Sequence, residues 1–284
     1  MSDGLCVGVL GAGQMGEGIA QVASHIAEYK VLLFDALPGN AERALSGIEQ
    51  KLTAGVAKGS ITEVRKIEAL KRIVVAKALE DFSEASLVIE AVREDVQLKE
   101  EIFHRLDKIL PASAIIASNT SSISITRLGR STERADRVIG MHFMNPVPIM
   151  ALVEVIPGIA TAPETVSTIE AIAQRMKKVV VRGIDTPGFI VNRILVPMVN
   201  EAIFLLQEGV HKEAIDTAMK LGTNHPMGPL TLADFVGLDT LLAILRVLHK
   251  ELGEDKYRPC PLLVKYVEAG WFGKKVGRGF YVYK

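Results

Sequence analysis

The sequence predicts an α/β fold in which a mostly parallel, doubly wound sheet is followed by an all-helical C-terminal domain. Three observations support this prediction. Short apolar runs alternate with helical patterns up to residue 184, the turn sequence Asp185-Thr186-Pro187-Gly188 then interrupts them, and only long helical patterns follow. Strands that alternate with helices are typical of a parallel sheet covered by helices on its faces.

The predicted strands are eight short apolar runs bounded by turn or helix signals. Their length and composition favour strands buried within the sheet. Helical patterns lie between several of them, as at Met15–Ala27 and Val96–Ile109. The runs are Leu5–Leu10, Val31–Phe34, Ile73–Val75, Leu87–Ala91, Ala114–Ala117, Val138–Met141, Leu152–Ile156 and Val179–Val181.

The C-terminal part of the chain has helix-compatible stretches at Phe189–Glu208, Lys212–Leu221, Leu230–Leu252 and Leu262–Ala269. The first has little polar surface, so we expect it to be buried in a core or at an interface. We therefore predict two domains, residues 1–184 and 185–284, of which the second is helical and dimerises.

Composition narrows the range of possible functions. The chain has 284 residues and carries 33 basic and 33 acidic side chains, so its formal net charge is zero. A neutral protein has no overall field that would attract nucleic acid or an anionic membrane, and a small molecule is the expected partner. Charges or glycines interrupt every apolar stretch before the ~20 residues that a membrane span needs.

The N-terminal segment and the cysteines predict a soluble protein of the cytoplasm without a metal site. No basic segment precedes the first apolar run, which enters a glycine motif at once and therefore indicates a strand instead of a signal peptide. Cys6 and Cys260 are far apart and lack the spacing of a zinc site or a disulfide framework, so we expect buried or inert thiols.

The residues Gly11, Ala12, Gly13, Gln14, Met15 and Gly16 form a GxGxxG motif between the first strand and an apolar helix. This context is typical of a Rossmann-like dinucleotide site, where glycines allow a tight turn and close approach of the pyrophosphate to the helix N-terminus. An ordinary glycine turn is the alternative.

Asp35 ends the second predicted strand at the spacing expected for the acid that binds the adenosine ribose. A carboxylate there repels a 2′-phosphate, so we predict NAD as the cofactor in preference to NADP. The alternative is a solvated aspartate at a strand end.

Polar side chains gather at or near other predicted strand ends, in Ser118–Ser122, in Met141–Pro146 and at Glu154. The carboxyl ends of the strands form the ligand crevice of such a sheet. An imidazole suits the base that alcohol oxidation needs, so His142 is the candidate proton acceptor, and Glu154 could orient it and stabilise its charged form. From the pattern alone, a structural histidine and an edge-strand carboxylate facing water remain open.

These segments closely resemble the L-3-hydroxyacyl-CoA dehydrogenase family, which includes short-chain 3-hydroxybutyryl-CoA dehydrogenases. The resemblance covers essentially the whole chain. It implies reversible NAD-dependent oxidation of an L-3-hydroxyacyl-CoA by hydride transfer, in fatty acid β-oxidation, by a homodimer. The matching segments are Gly11–Gly16, Glu90–Glu94, Ser118–Ser122, His142–Pro146, Asp185–Arg193 and Pro226–Pro229.

The resemblance also implies roles for individual residues. His142 and Glu154 match the catalytic dyad, and Ser121 and Asn192 match contacts to the substrate. Asn192 lies in an apolar helix and needs a polar partner, which is either a core group or a ligand. The implied contacts on the nicotinamide side of the cofactor are Glu94, Lys99, Asn145 and Lys275.

Lys58 matches a lysine that contacts coenzyme A, whose phosphates suit a flexible ammonium group. Taken individually, Lys99 and Lys275 would be interpreted as solvated surface charges. The chain departs from the family at Lys51, which replaces a serine near the CoA site, and at Glu17, which could repel the pyrophosphate. Two other functions remain open: a dehydrogenase of a free hydroxy or sugar acid, and a dinucleotide-binding protein without turnover.

Overall fold

The structure is a computed structural model that describes residues 4–283. The chain divides into two compact units, of which the first ends at Asp185 and the second begins at Thr186. The boundary expected from the sequence, between residues 184 and 185, lies one residue before this division.

The first unit is built on an eight-stranded sheet with the strand order β3-β2-β1-β4-β5-β6-β7-β8. Among the strand pairs that residues 4–283 form in this sheet, β6–β7 is antiparallel and the others are parallel. The predicted α/β class is therefore confirmed, and every predicted strand overlaps an observed one. The strands are β1 (Cys6–Leu10), β2 (Lys30–Phe34), β3 (Ile73–Val75), β4 (Leu87–Glu90), β5 (Ile115–Ser118), β6 (Val138–Phe143), β7 (Leu152–Pro157) and β8 (Val179–Arg182).

The helices of the first unit cover the sheet and bury an apolar core that includes Ile19, Leu33 and Ile48. Asp95 shows why one helix begins where it does, because its carboxylate accepts a hydrogen bond from the Leu98 amide at 2.9 Å. These helices are α1 (Gln14–His25), α2 (Asn40–Ala57), α3 (Glu63–Lys71), α4 (Val96–Ile109), α5 (Ile125–Arg130) and α6 (Pro163–Arg175).

The sheet places its ligand-binding edge between β1 and β4, where the strand order reverses. Chain segments that leave the carboxyl ends of these two strands diverge to opposite sides, and the gap between them is the usual ligand crevice of a doubly wound sheet. The glycine motif follows β1, and Glu90 ends β4.

The second unit consists of α7 (Val191–Gln207), α8 (Lys212–Gly222), α9 (Pro229–Val236), α10 (Leu238–Leu252) and α11 (Pro261–Glu268). The prediction of one helix over residues 230–252 was wrong. Gly237 separates α9 from α10 with a φ of 103°, a value that residues with a Cβ rarely adopt. The core of the second unit includes Val199, Ile203 and Leu245.

The first helix of this unit is only partly as expected, because Val196 and Val199 are buried while Ile194 is 68% exposed. Within residues 4–283, none of the helices combines the length and apolar character of a membrane span. Over the same residues, no three His, Cys, Asp or Glu side chains gather as metal ligands. Cys6 and Cys260 are both buried.

Candidate active site

The glycine motif forms the turn from β1 into α1. Gly11 has a φ of 99°, and a Cβ there would lie 2.6 Å from the Ala91 carbonyl oxygen. A Cβ on Gly16 would collide with the Gly11 carbonyl, so Gly16 packs mainly against the turn itself. Gly13 precedes α1 and has open space at the Cβ position. The motif therefore leaves the helix N-terminus accessible to a phosphate group.

Asp35 is joined to the glycine turn. One carboxylate oxygen accepts the Ala12 amide at 2.7 Å, and the other accepts the Leu37 amide at 2.9 Å. The side chain is thus oriented by the turn and does not project freely into solvent. It lines a cavity of about 660 Å³ together with Gly11, Gly13, Val92 and Ile102.

Lys99 forms a buried ionic cluster at the end of β4. Only 1% of its side chain is exposed, and its ammonium lies 2.6 Å from Glu90 Oε1 and 3.5 Å from Glu94 Oε2. The interpretation of Lys99 as a solvated surface charge was therefore wrong. Sequence reasoning did not single out Glu90, although a lone acid ending an apolar strand was the available signal.

Glu94 is held by the loop that follows β5. Its Oε1 accepts hydrogen bonds from the Thr120 hydroxyl at 2.5 Å, the Ser121 amide at 3.0 Å and the Ser122 hydroxyl at 3.1 Å. Burial alone would raise the pKa of Glu94, but Lys99 and these hydrogen bonds together lower it below its ordinary value. Glu94 is consequently an anion beside Ser121.

His142 and Glu154 face each other across the antiparallel pair β6 and β7. The distance between His142 Nδ1 and Glu154 Oε2 is 2.7 Å, and the two residues are 7% and 0% exposed. β7 lies between β6 and β8, so the alternative of an edge carboxylate facing water was wrong for Glu154. A buried imidazole with one ring nitrogen fixed by a carboxylate is an arrangement suited to proton transfer.

Two further side chains hold the backbone after β5 and β6. No role was predicted for Asn119, although it lies in the Ser118–Ser122 segment, and Lys178 was missed. Asn119 Oδ1 accepts the Phe143 amide at 2.8 Å, which ties the loop after β5 to the end of β6. Lys178 is buried and donates to the carbonyls of Val147 and Met150, the latter at 2.8 Å. Burial lowers the pKa of the Lys178 amine.

The remaining candidates are less enclosed. Asn145 is exposed beyond β6, and Lys58 is exposed at the C-terminal end of α2. Asn192 and Lys275 belong to the second unit, whereas all other candidates lie in the first. Lys275 forms an ion pair with Asp239 at 2.7 Å and is 48% exposed, so it is a paired charge.

Glu17 and Lys51, two of the positions that differ from what the resemblance implies, are partners of each other. The Lys51 ammonium lies 2.6 Å from Glu17 Oε1, across α1 and α2. Glu17 is mostly covered, while Lys51 is about half exposed. The negative charge in the first turns of α1 is therefore balanced by a neighbouring cation.

Comparison with known proteins identifies the family of the chain. Residues 6–186 match the model of the 3-hydroxyacyl-CoA dehydrogenase NAD-binding domain, and residues 188–283 match that of the 3-hydroxyacyl-CoA dehydrogenase C-terminal domain. The chain belongs to the 3-hydroxyacyl-CoA dehydrogenase family. The predicted enzyme class and the NAD cofactor are thereby confirmed.

Similar proteins cover almost the whole chain. A probable 3-hydroxybutyryl-CoA dehydrogenase of Bacillus subtilis is 54% identical over 97% of this chain and 96% of its own length. The 3-hydroxybutyryl-CoA dehydrogenase of Bradyrhizobium diazoefficiens is 54% identical over 98% and 95%. The crystal structure of (S)-3-hydroxybutyryl-CoA dehydrogenase from Ralstonia eutropha is 46% identical, with a TM-score of 0.94 over 98% and 99% of the two chains.

Proposed function

We propose that this chain oxidises a short-chain L-3-hydroxyacyl-CoA, such as 3-hydroxybutyryl-CoA, to the 3-oxoacyl-CoA, reversibly and with NAD. The observation that carries the proposal is the buried His142–Glu154 contact at 2.7 Å. The names of the similar proteins from Bacillus and Bradyrhizobium support this substrate.

The cofactor fits the first unit at the glycine turn. The open Cβ position of Gly13 leaves room for the pyrophosphate at the N-terminus of α1, and Asp35 is aimed beside it to accept the ribose hydroxyls. When bound, NAD supplies the hydride acceptor. Glu94 and Lys99, which follow β4, and Asn145, which follows β6, would contact its nicotinamide half, with Lys275 as a further contact.

His142 is the proton acceptor in this proposal. In this mechanism Nε2 of the ring accepts the proton of the substrate hydroxyl, and the hydride leaves the carbon that bears this hydroxyl. Glu154 holds the ring through Nδ1 and stabilises the imidazolium that forms. Ser121 and Asn192 would hydrogen-bond the reacting oxygen, and Lys58 would bind a phosphate of coenzyme A.

The proposal also covers the roles of the two units, the oligomeric state, the cellular compartment and the metabolic pathway. The unit ending near Asp185 binds NAD, and the helical unit binds substrate and forms a homodimer. The exposed apolar side chain of Ile194 on α7 supports a partner on that helix. We assign the enzyme to the cytoplasm and to fatty acid β-oxidation.

The test is a set of matched substrates with the purified protein. Both enantiomers of 3-hydroxybutyryl-CoA, longer 3-hydroxyacyl-CoA chains and free 3-hydroxybutyrate are incubated with NAD or NADP, and NADH formation is followed by absorbance. We expect the L enantiomer with NAD to have the highest kcat/KM. Preference for the free acid would indicate the other dehydrogenase class, and NAD binding without turnover of any substrate would indicate a non-catalytic protein.

A further inference from the structure

The Glu90 carboxylate is completely buried at the carboxyl end of β4. Its Oε1 accepts hydrogen bonds from Lys99 Nζ at 2.6 Å and the Val92 amide at 2.7 Å, and its Oε2 accepts the Ser118 hydroxyl at 2.7 Å. A buried carboxylate with three donors has its orientation fixed by all of them.

One path from Glu90 leads through Lys99. Because the Lys99 side chain is only 1% exposed, its ammonium requires a charged partner inside the protein. Glu90 is the nearer carboxylate and Glu94 the more distant one, at 2.6 and 3.5 Å. The ammonium is therefore anchored by Glu90 and presented to Glu94.

A second path leads through the loop after β5. Ser118 Oγ donates to Glu90 and accepts the Thr120 amide at 3.1 Å, and the Thr120 hydroxyl donates to Glu94 at 2.5 Å. Glu94 in turn accepts the Ser121 amide. Both paths end on Glu94, so a change at Glu90 acts on the carboxylate and the serine loop together.

We propose that Glu90 is a positioning residue for the nicotinamide half of the cofactor. It contacts neither cofactor nor substrate, and it acts by holding Lys99, Glu94 and Ser121 in one arrangement. This inference rests on the proposed function, in which those three residues contact the nicotinamide or the substrate. The adenosine half depends on Asp35, whose carboxylate is held by the Ala12 and Leu37 amides and not by Glu90.

The experiment compares Glu90→Gln with wild type for ligands that differ in the nicotinamide ring. The amide keeps the shape of the side chain but removes its charge and turns one acceptor into a donor facing Lys99 or Ser118. We expect affinity for ADP-ribose to stay within about twofold. Hydride transfer at saturating ligands should fall roughly 10- to 100-fold, because a displacement of about 1 Å has that effect. The emission intensity and wavelength of bound NADH should differ from those of wild type.

Two further variants separate positioning from stability. Asp107→Asn is the matched control, since Asp107 pairs with Arg134 at 2.6 Å at a mostly buried site near the C-terminal end of α4. It should lower the melting temperature without changing hydride transfer. Glu90→Asp keeps the charge with a shorter reach, and we expect it to recover part of the lost transfer rate.

Wild-type hydride transfer and NADH fluorescence in correctly folded Glu90→Gln would overturn the proposal. Equal loss of ADP-ribose and NADH binding would also overturn it, because the effect would then be global. If Glu90→Gln does not fold, Ser118→Ala replaces it, since that variant keeps the ion pair and cuts the second path. A wild-type result for Ser118→Ala would then count against the proposal. If wild type oxidises no acyl-CoA, the proposed function fails, and the contrast between NADH and ADP-ribose still tests Glu90.

Discussion

Glu154→Gln is the sharpest test of the proposed dyad, because the amide preserves volume and removes only charge. With Nδ1 and Oε2 2.7 Å apart, the charge centres of imidazolium and carboxylate are separated by about 4 Å, which corresponds to about 4 kcal/mol at an effective dielectric constant of about 20. The interaction is gained as His142 becomes charged, so it favours the transition state over the ground state. At 1.36 kcal/mol per factor of ten, we expect hydride transfer to fall about 10³-fold.

The assay is single-turnover hydride transfer at saturating substrate, with folding checked by circular dichroism and NAD affinity measured by calorimetry. NAD affinity should survive in Glu154→Gln. His142→Ala should reduce transfer at least as much, and the double variant should lose far less than the product of the two losses, because the two residues act as a unit. Glu170→Gln is the control, since Glu170 pairs with Arg182 on the surface and should leave transfer unchanged. Near-wild-type transfer by folded Glu154→Gln would show that His142 works without this partner.

Four other predictions follow from the first unit. Replacing Asp35 with Ser and Ala36 with Arg should shift the NADP to NAD ratio of kcat/KM roughly tenfold or more toward NADP, since a cation then faces the 2′-phosphate; an unchanged ratio contradicts the ribose assignment. A fragment ending at Asp185 should bind NAD but be inactive and monomeric by sedimentation. A fragment ending at Gly183 should unfold at a lower urea concentration than the fragment ending at Asp185, with a free energy of unfolding lower by about 1 kcal/mol. The reason is that the Asp185 carboxylate caps the start of α5 by accepting two backbone amides. Equal stability of the two fragments contradicts that role. Burial, with two nearby arginines, lowers the pKa of His25. The unfolded chain therefore takes up the proton first, and stability should fall as pH drops through about 6.5, less so in His25→Leu; identical urea midpoints across pH in both proteins would refute this.

The strands and most helices were predictable because local patterns determine them. The eight apolar runs each overlap an observed strand, and Asp95 is a recognisable helix cap. The break at Gly237 was missed, since an apolar periodicity continues through it and the positive φ is a property of the folded backbone. A glycine in a helical pattern indicates lower helix stability and does not reveal a break.

The site was less predictable because its contacts cross between elements. Glu154 was assigned to an edge when considered alone, and only the antiparallel register of β6 and β7 shows that it is enclosed and faces His142. Lys99 had the pattern of a surface charge, since its partner Glu90 lies nine residues away on a strand. Pairing with a buried counter-ion overrides the usual preference of lysine for solvent. The resemblance to a known family supplied Glu154 and Lys99 as candidates where periodicity could not.

Asn119 connects the two halves of the candidate site. On one side, its neighbours Ser118 and Thr120 join Glu90 and Glu94. On the other, its own amide oxygen accepts the Phe143 amide, one residue beyond His142. In the proposed mechanism, the nicotinamide side and the His142 side must keep a fixed separation, because the C–H bond and the O–H bond of the same substrate alcohol break together. Adjacent parallel strands β5 and β6 supply the coarse spacing, and this side-chain hydrogen bond fixes the loop that the ladder leaves free.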